Sequence, residues 1–159
     1  MTQKPPNASV NRGKEPLDRP LLIGWKEYLD FPEWGVRRVK VKIDTGARTS
    51  ALGAISYDLV EAEGRGLIAR LRLALRRKQP GRLTEVEVPV LRTVVVRNSG
   101  GMPELRPLLE VLVRLGPVSK RILVTVTHRS GMRFPMILGR RALEGDFLVD
   151  VSGKYLLRH

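Results

Sequence analysis

Val39-Lys40-Val41-Lys42-Ile43-Asp44-Thr45-Gly46-Ala47 decides how this chain is read. Apolar side chains at 39, 41 and 43 alternate with lysines, the period of a strand with one buried face. The strand runs straight into Asp-Thr-Gly-Ala, where Asp can bond its own backbone and Gly can take a positive φ. On its own that is an ordinary turn. Its meaning depends on what the rest of the chain supplies.

Outward from this segment the texture stays that of strands and turns. Ala69, Leu71, Leu73 and Leu75 alternate with Arg70 and Arg72. Val86, Val88 and Val90 alternate with Glu85 and Glu87, and their strand is expected to continue through Val94–Val96. Val111, Val113 and Leu115 form another apolar face, and Ile122, Val124 and Val126 another; His128 falls on that last face and reads as a core or hydrogen-bonded histidine. Gln79-Pro80-Gly81, Asn98-Ser99-Gly100-Gly101, Gly116-Pro117 and Ser130-Gly131 punctuate these runs. One short helix is expected at Arg140–Leu143, closed by Gly145. Many short strands at this spacing predict a compact all-β barrel or sandwich. Trp25 and Trp34 read as packing residues beside the first strand.

Composition removes several functional classes. The chain has 159 residues, room for one domain, and no cysteine, hence no disulfide, thiol nucleophile or cysteine-held zinc. With only His128 and His159 and no H-E-x-x-H, no metal site is expected; without G-x-x-x-x-G-K-[ST], no ATP loop is expected, and no cofactor at all. No apolar run approaches the ~20 residues of a membrane span, and no apolar leader opens the chain. The expectation is a soluble, cytoplasmic protein, the lack of cysteine fitting a reducing compartment. Residues 1–20, with four of the eleven prolines and no aromatic, read as a disordered tail before a domain over 21–159. Asn7-Ala8-Ser9 is an empty sequon without a secretory leader. A net charge of +13 calls for an acidic partner, either nucleic acid or peptide.

Met136-Ile137-Leu138-Gly139-Arg140 answers the Asp44 turn. An Asp-Thr-Gly loop with a later apolar-apolar-Gly segment resembles the retropepsins, the retroviral-type aspartic proteases. In that fold Ile137, Leu138 and Gly139 thread beside the Asp44 loop and support it. A glycine-rich flap lies between the two, at Asn98-Ser99-Gly100-Gly101-Met102. Over a longer span, Lys42-Ile43-Asp44-Thr45-Gly46-Ala47-Arg48-Thr49-Ser50-Ala51-Leu52 is similar to the signature of a bacterial and archaeal retropepsin-like family. Members of that family long went under the name of ATP-dependent zinc proteases, and they often accompany ATP-grasp glutamate ligases acting on a ribosomal protein. Ile23–Glu27, Met132–Leu143 and Phe147–Asp150 match it too. Where family members often read Leu-His-Ala, this chain has Leu52-Gly53-Ala54.

The resemblance implies a retropepsin-like barrel with a flap hairpin, and a mechanism. One carboxylate cannot both activate water and protonate a leaving nitrogen, and Asp150-Val151-Ser152-Gly153 is not a second copy. Asp44 is therefore expected to pair with Asp44 of the partner subunit in a two-fold homodimer. Thr45 would lock the two loops, and Gly46 would give substrate backbone close access. Ala47, Arg48, Ser99, Gly100, Gly101 and Arg140 are the expected substrate contacts. Ala47 cannot donate to the carboxylate as a hydroxyl would, which predicts a milder acid optimum than in pepsin-type enzymes. Arg48 and Arg140 converge, either to hold an acidic, glutamate-rich substrate or to be neutralised by Glu144, Asp146 or Asp150.

Two further readings stand beside the endopeptidase. In one, the chain is a non-catalytic basic barrel binding RNA or ribosomes through Arg76, Arg77, Lys78 and Arg82, although no paired aromatics suggest a base-stacking surface. In the other, the cleft holds a peptide uncut and regulates a glutamate ligase.

Overall fold

The computed structural model describes residues 19–98, 100–128 and 133–157. The tail expected over 1–20, apart from its last two residues, lies outside them, as do Ser99, the Ser130-Gly131 turn and His159.

Twelve strands follow in order: β1 (Leu21–Ile23), β2 (Lys26–Phe31), β3 (Val36–Ile43), β4 (Ser50–Ala54), β5 (Ser56–Ala62), β6 (Gly66–Leu73), β7 (Thr84–Pro89), β8 (Arg92–Arg97), β9 (Pro103–Leu115), β10 (Val118–His128), β11 (Met136–Leu138) and β12 (Phe147–Val149). The helix is α1 (Arg140–Leu143). Strands β10, β4, β11, β3, β2 and β9 pair in that order, and β9 returns to β10, closing a six-stranded barrel. This is the all-β, retropepsin-like architecture that the strand pattern and the family resemblance predict. Outside the ring, β8 pairs with β9 as a hairpin, β5-β6-β7 form a separate sheet, and β1 pairs in parallel with β12.

Side-chain alternation sets what faces inward. Val39, Val41 and Ile43 of β3 are buried and Lys42 is exposed. They join Leu29, Phe31, Leu52, Leu109, Val111, Val113, Val124, Val126 and Met136 in one core. Trp34 packs on that core and stacks on Phe31, as expected of a packing residue. Two expectations fail. The Val86–Val90 strand does not run on through Val94–Val96; the chain leaves β7 at Pro89 and begins β8 at Arg92 in a different sheet, because consecutive N–H groups change partner, Val90 donating to the Leu67 carbonyl on β6 and Leu91 to the Leu108 carbonyl on β9. His128 is not a core residue: β10 is still paired with β4 there, His128 opposite Ala54, but at this last position of the strand the imidazole is exposed and stacks on Tyr57 with ring centroids 5.0 Å apart.

Glu27 is the one wholly buried residue on β2 that carries a charge. Its carboxylate accepts the backbone N–H groups of Gly24, Leu156 and Leu157, tying the C-terminal segment to the β1–β2 turn. Gly24 is required there, since a Cβ would collide with the Gly153 carbonyl.

Candidate functional site

β3 delivers Asp44 to the mouth of the barrel. The turn after it is closed by the Ala47 N–H donating to the Asp44 carbonyl at 3.2 Å, while the Gly46 N–H donates to Asp44 Oδ1 at 3.0 Å. The carboxylate is half-buried, and Thr45 and Gly46 are exposed.

β11 braces this loop from inside. It lies between β3 and β4, parallel to the first (Leu138 beside Ile43) and antiparallel to the second (Ile137 beside Ala51). The Asp44 N–H donates to the Leu138 carbonyl at 2.8 Å, and the Gly139 N–H to the buried Ser50 Oγ at 3.1 Å. Beyond Gly139 the chain turns into α1, whose first N–H donates to the Ala47 carbonyl at 2.7 Å. The Arg140 guanidinium reaches back to the Thr45 carbonyl at 2.9 Å. Leu138 and Gly139 thus touch the loop, and Ile137 pairs with the strands on either side of it, Lys42 on β3 and Ala51 on β4. Ser50 was missed, although it sits within the matching segment.

A cleft of about 530 Å³ opens over Asp44. Ala47, Arg48, Thr49 and Ile137 line it from the loop side, and Val94, Val95, Val96 and Arg106 from the β8–β9 hairpin. The hairpin tip is organised by Asn98, whose Oδ1 accepts the N–H groups of Gly100 and Met102. Gly100 and Gly101 are exposed at that tip, outside the lining of the cleft.

Charge in the cleft is one-sided. Arg48, Arg92, Arg106 and Arg141 line it, and Asp44 is the one carboxylate among its lining residues. Arg92, Arg106 and Arg141 were not foreseen. Arg106 is 12% exposed and pairs with Glu104 at 3.3 Å, and its Nε has no partner among the described residues. The same bond, with that from the Thr127 hydroxyl, holds the Glu104 carboxyl below its ordinary range.

Arg48 and Arg140 do converge, around a second hollow of about 520 Å³ that also carries Thr45, Arg141, Glu144, Phe147 and Val149. Two of the three acids that could have neutralised them are occupied elsewhere. Asp146 is buried against Lys120 Nζ at 2.8 Å, and Asp150 accepts both the N–H and the hydroxyl of Ser152. Glu144 lines the hollow but forms no ion pair with either arginine among the described residues.

Comparison with known proteins gives the family and the fold. The profile of the RimB-like family, described as retropepsin-like aspartic endopeptidase RimB, matches residues 22–159. A probable alpha-L-glutamate ligase of Shewanella pealeana is 30% identical over 142 residues, covering 88% of this chain and 30% of the relative. One from Parasynechococcus marenigrum is 32% identical over 143 residues, covering 89% and 30%. The chain therefore spans about 30% of the length of the curated relatives it matches. A crystal structure of a protein of unknown function from Legionella pneumophila superposes with a TM-score of 0.71 at 20% identity, over 88% of this chain and all of that one. The shared fold is what that last likeness carries.

Proposed function

The chain belongs to the RimB-like family of retropepsin-like aspartic endopeptidases, and from that premise we propose that it hydrolyses peptide bonds as a homodimer. One observation carries the reading: a half-buried Asp44 at the floor of an open cleft, on a loop braced by Leu138, Gly139 and Arg140. Asp44 and Asp44 of the partner subunit would face each other and share one proton, since two such close carboxylates cannot both ionise. The ionised member takes a proton from the attacking water while the protonated one polarises the scissile carbonyl. Their pKa values belong to the pair.

The second subunit has a surface to meet. Thr45 lies beside Phe147 and Val149 around one hollow, and the adjoining β1–β12 ribbon exposes Leu22 and Leu148. Burying these apolar side chains would bring the two Asp44 loops together, with Thr45 between them.

The substrate is acidic, a peptide rich in glutamate. Arg48, Arg92 and Arg141, without an ion pair among the described residues, and Arg106, shared with Glu104, favour it against the single Asp44, since a guanidinium binds a carboxylate bidentately. A domain matching this one makes up about 30% of proteins named probable alpha-L-glutamate ligases, and we take a glutamate ligase as its functional partner. The chain's work is placed in the cytoplasm on the same reading.

Asp44→Asn tests the proposal. It should abolish cleavage of acidic peptides, leaving the fold and the self-association measured by sedimentation unchanged. Wild-type rates in the variant would sink the mechanism. A wild-type chain that stays monomeric at all concentrations, with substrate present, would sink the dyad.

A further inference from the structure

Among the described residues, two that are not glycine hold a left-handed backbone, Arg38 with φ 57° and Tyr155 with φ 51°. Such conformations are strained for side chains of this size. Both residues end on the same ring. Tyr155 stacks on Tyr28 with centroids 4.4 Å apart and planes 14° from parallel, and the Arg38 guanidinium lies 4.7 Å from the Tyr28 centroid. Arg38 owes its position to a bulge: Leu29 pairs with Val39 and Phe31 with Val36, leaving two arginines opposite Asp30, whose carboxylate accepts the Arg38 N–H at 2.9 Å. Glycine or asparagine would fill that bulge at less cost.

More cation collects around the pair. Arg77, from the loop between β6 and β7, lies 4.9 Å from the Tyr28 ring, and Lys26 Nζ sits 5.3 Å from Tyr155 and 4.8 Å from Trp25. Cross-strand neighbours on the same face of β2 and β3 add Lys42 beside Lys26 and Lys40 beside Tyr28. None of these cations forms an ion pair among the described residues, and none lines the cleft over Asp44. Paired aromatics are thus present after all. They were hidden in the sequence because Tyr28 and Tyr155 lie at opposite ends of the chain.

We propose that this face, with Arg38 and Arg77 laid over Tyr28 and Lys26 between Tyr155 and Trp25, is a binding surface for single-stranded RNA. Cations interleaved with rings suit a single strand: guanidinium groups over Tyr28 present N–H donors to phosphate oxygens, and the half-buried Trp25 and Tyr155 rings beside Lys26 offer bases a surface to stack on. An acidic peptide would use the charges but gain nothing from the rings. The surface is independent of Asp44, so the proposal stands apart from the peptidase reading.

The test uses the full chain and a labelled oligouridylate, read by fluorescence anisotropy across salt concentrations. The double variant Arg38→Gly with Arg77→Ala should bind at least tenfold more weakly. Its salt slope should be shallower by about 1.4, two phosphate contacts on a single strand. The control, Arg70→Ala with Arg72→Ala, removes the same charge from residues already paired with Glu87 and Glu85, and should stay within twofold of wild type. Arg38→Gly alone should melt no lower than wild type, since it relieves strain while losing RNA affinity. Equal weakening in the control would reduce the binding to diffuse charge and overturn the proposal. So would no binding by wild type at low salt, or a polyglutamate peptide that loses as much affinity as RNA in the double variant. A lower melting point for Arg38→Gly with RNA affinity intact would make the bulge structural and overturn it too.

Discussion

Gly139 lies so close to the Ala47 carbonyl that a Cβ built on it would come within 2.9 Å of that oxygen, and within 2.8 Å of the Thr49 carbonyl carbon. The obstacle is backbone on both counts and cannot swing away. Gly139→Ala must therefore push β11 off the loop that carries Asp44. Overpacking of this kind costs about 1–3 kcal/mol. The larger effect falls on activity, where a displacement near 1 Å costs about a hundredfold. We expect kcat/KM to drop by about that factor, with a smaller fall in melting temperature.

Arg106 gives the cleft's specificity a handle. Arg106→Leu keeps the apolar stem and removes the guanidinium from the wall facing Asp44. For a glutamate-rich peptide KM should rise about tenfold or more, the worth of a charged hydrogen bond. For a neutral peptide of the same length it should change little. Steady-state kinetics on the two peptides make the comparison, and equal losses on both would remove Arg106 from recognition.

On the peptidase reading, Ala47 should set the acid limb of the pH profile. It lines the cleft beside Asp44 and brings no hydroxyl to the carboxylate. In Ala47→Ser a donor reaches the ionised form, favours it, and lowers the pKa of the dyad. The acid limb of kcat/KM should move to lower pH in the variant, and the wild-type optimum should lie well above pH 2. An unmoved limb would mean that the added hydroxyl points elsewhere.

Glu104 couples the hairpin to pH. Its carboxyl is held below the ordinary value of 4.5, first by the hydrogen bond from Arg106 and further by that from Thr127. A depressed folded-state pKa stabilises the fold fully above the unfolded value, and the contribution fades as pH falls through the folded one. The β8–β9 hairpin should therefore lose amide protection below about pH 4.5. Glu104→Gln should flatten that dependence in hydrogen exchange.

Glu27→Ala strands the backbone N–H groups of Gly24, Leu156 and Leu157. Partly resolvated, they should cost about 3 kcal/mol together. Glu27→Gln keeps one acceptor oxygen and should cost less. Limited proteolysis should cut the C-terminal segment faster in the alanine variant, and thermal melts should rank the three chains in that order.

How much of this could be read beforehand differs from place to place. The Asp44 loop, its Ile137-Leu138-Gly139 brace and the short helix were legible, because each is a contiguous run whose residue types leave few conformations. The cleft arginines were not. Arg92, Arg106 and Arg141 come from three elements, and alternation says which side chains share a face without saying what that face looks at. A partial signal existed: counting outward from the Asn98–Met102 turn pairs Val94 with Arg106 and Arg92 with Leu108, which puts both arginines on one side of the hairpin. His128 misled because a period of two says which side chains share a face, and not that the last residue of the strand, still paired with Ala54, is exposed beside Tyr57. Tyr28 and Tyr155 gave no local sign, since stacking across the length of a chain leaves no spacing to detect.

The bond from Arg140 to Thr45 spans 95 residues of chain, and that from Gly139 to Ser50 spans 89. Contacts so distant along the chain form late, after slow loop closure. During synthesis Asp44 leaves the ribosome long before the segment that shapes its loop. An emerging chain thus carries Asp44 in an unformed turn, without its brace and, if it works as a dimer, without a twin. On the peptidase reading the enzyme is silent while it is being made, and the threading of β11 sets the moment at which a newly made protein becomes able to cut others.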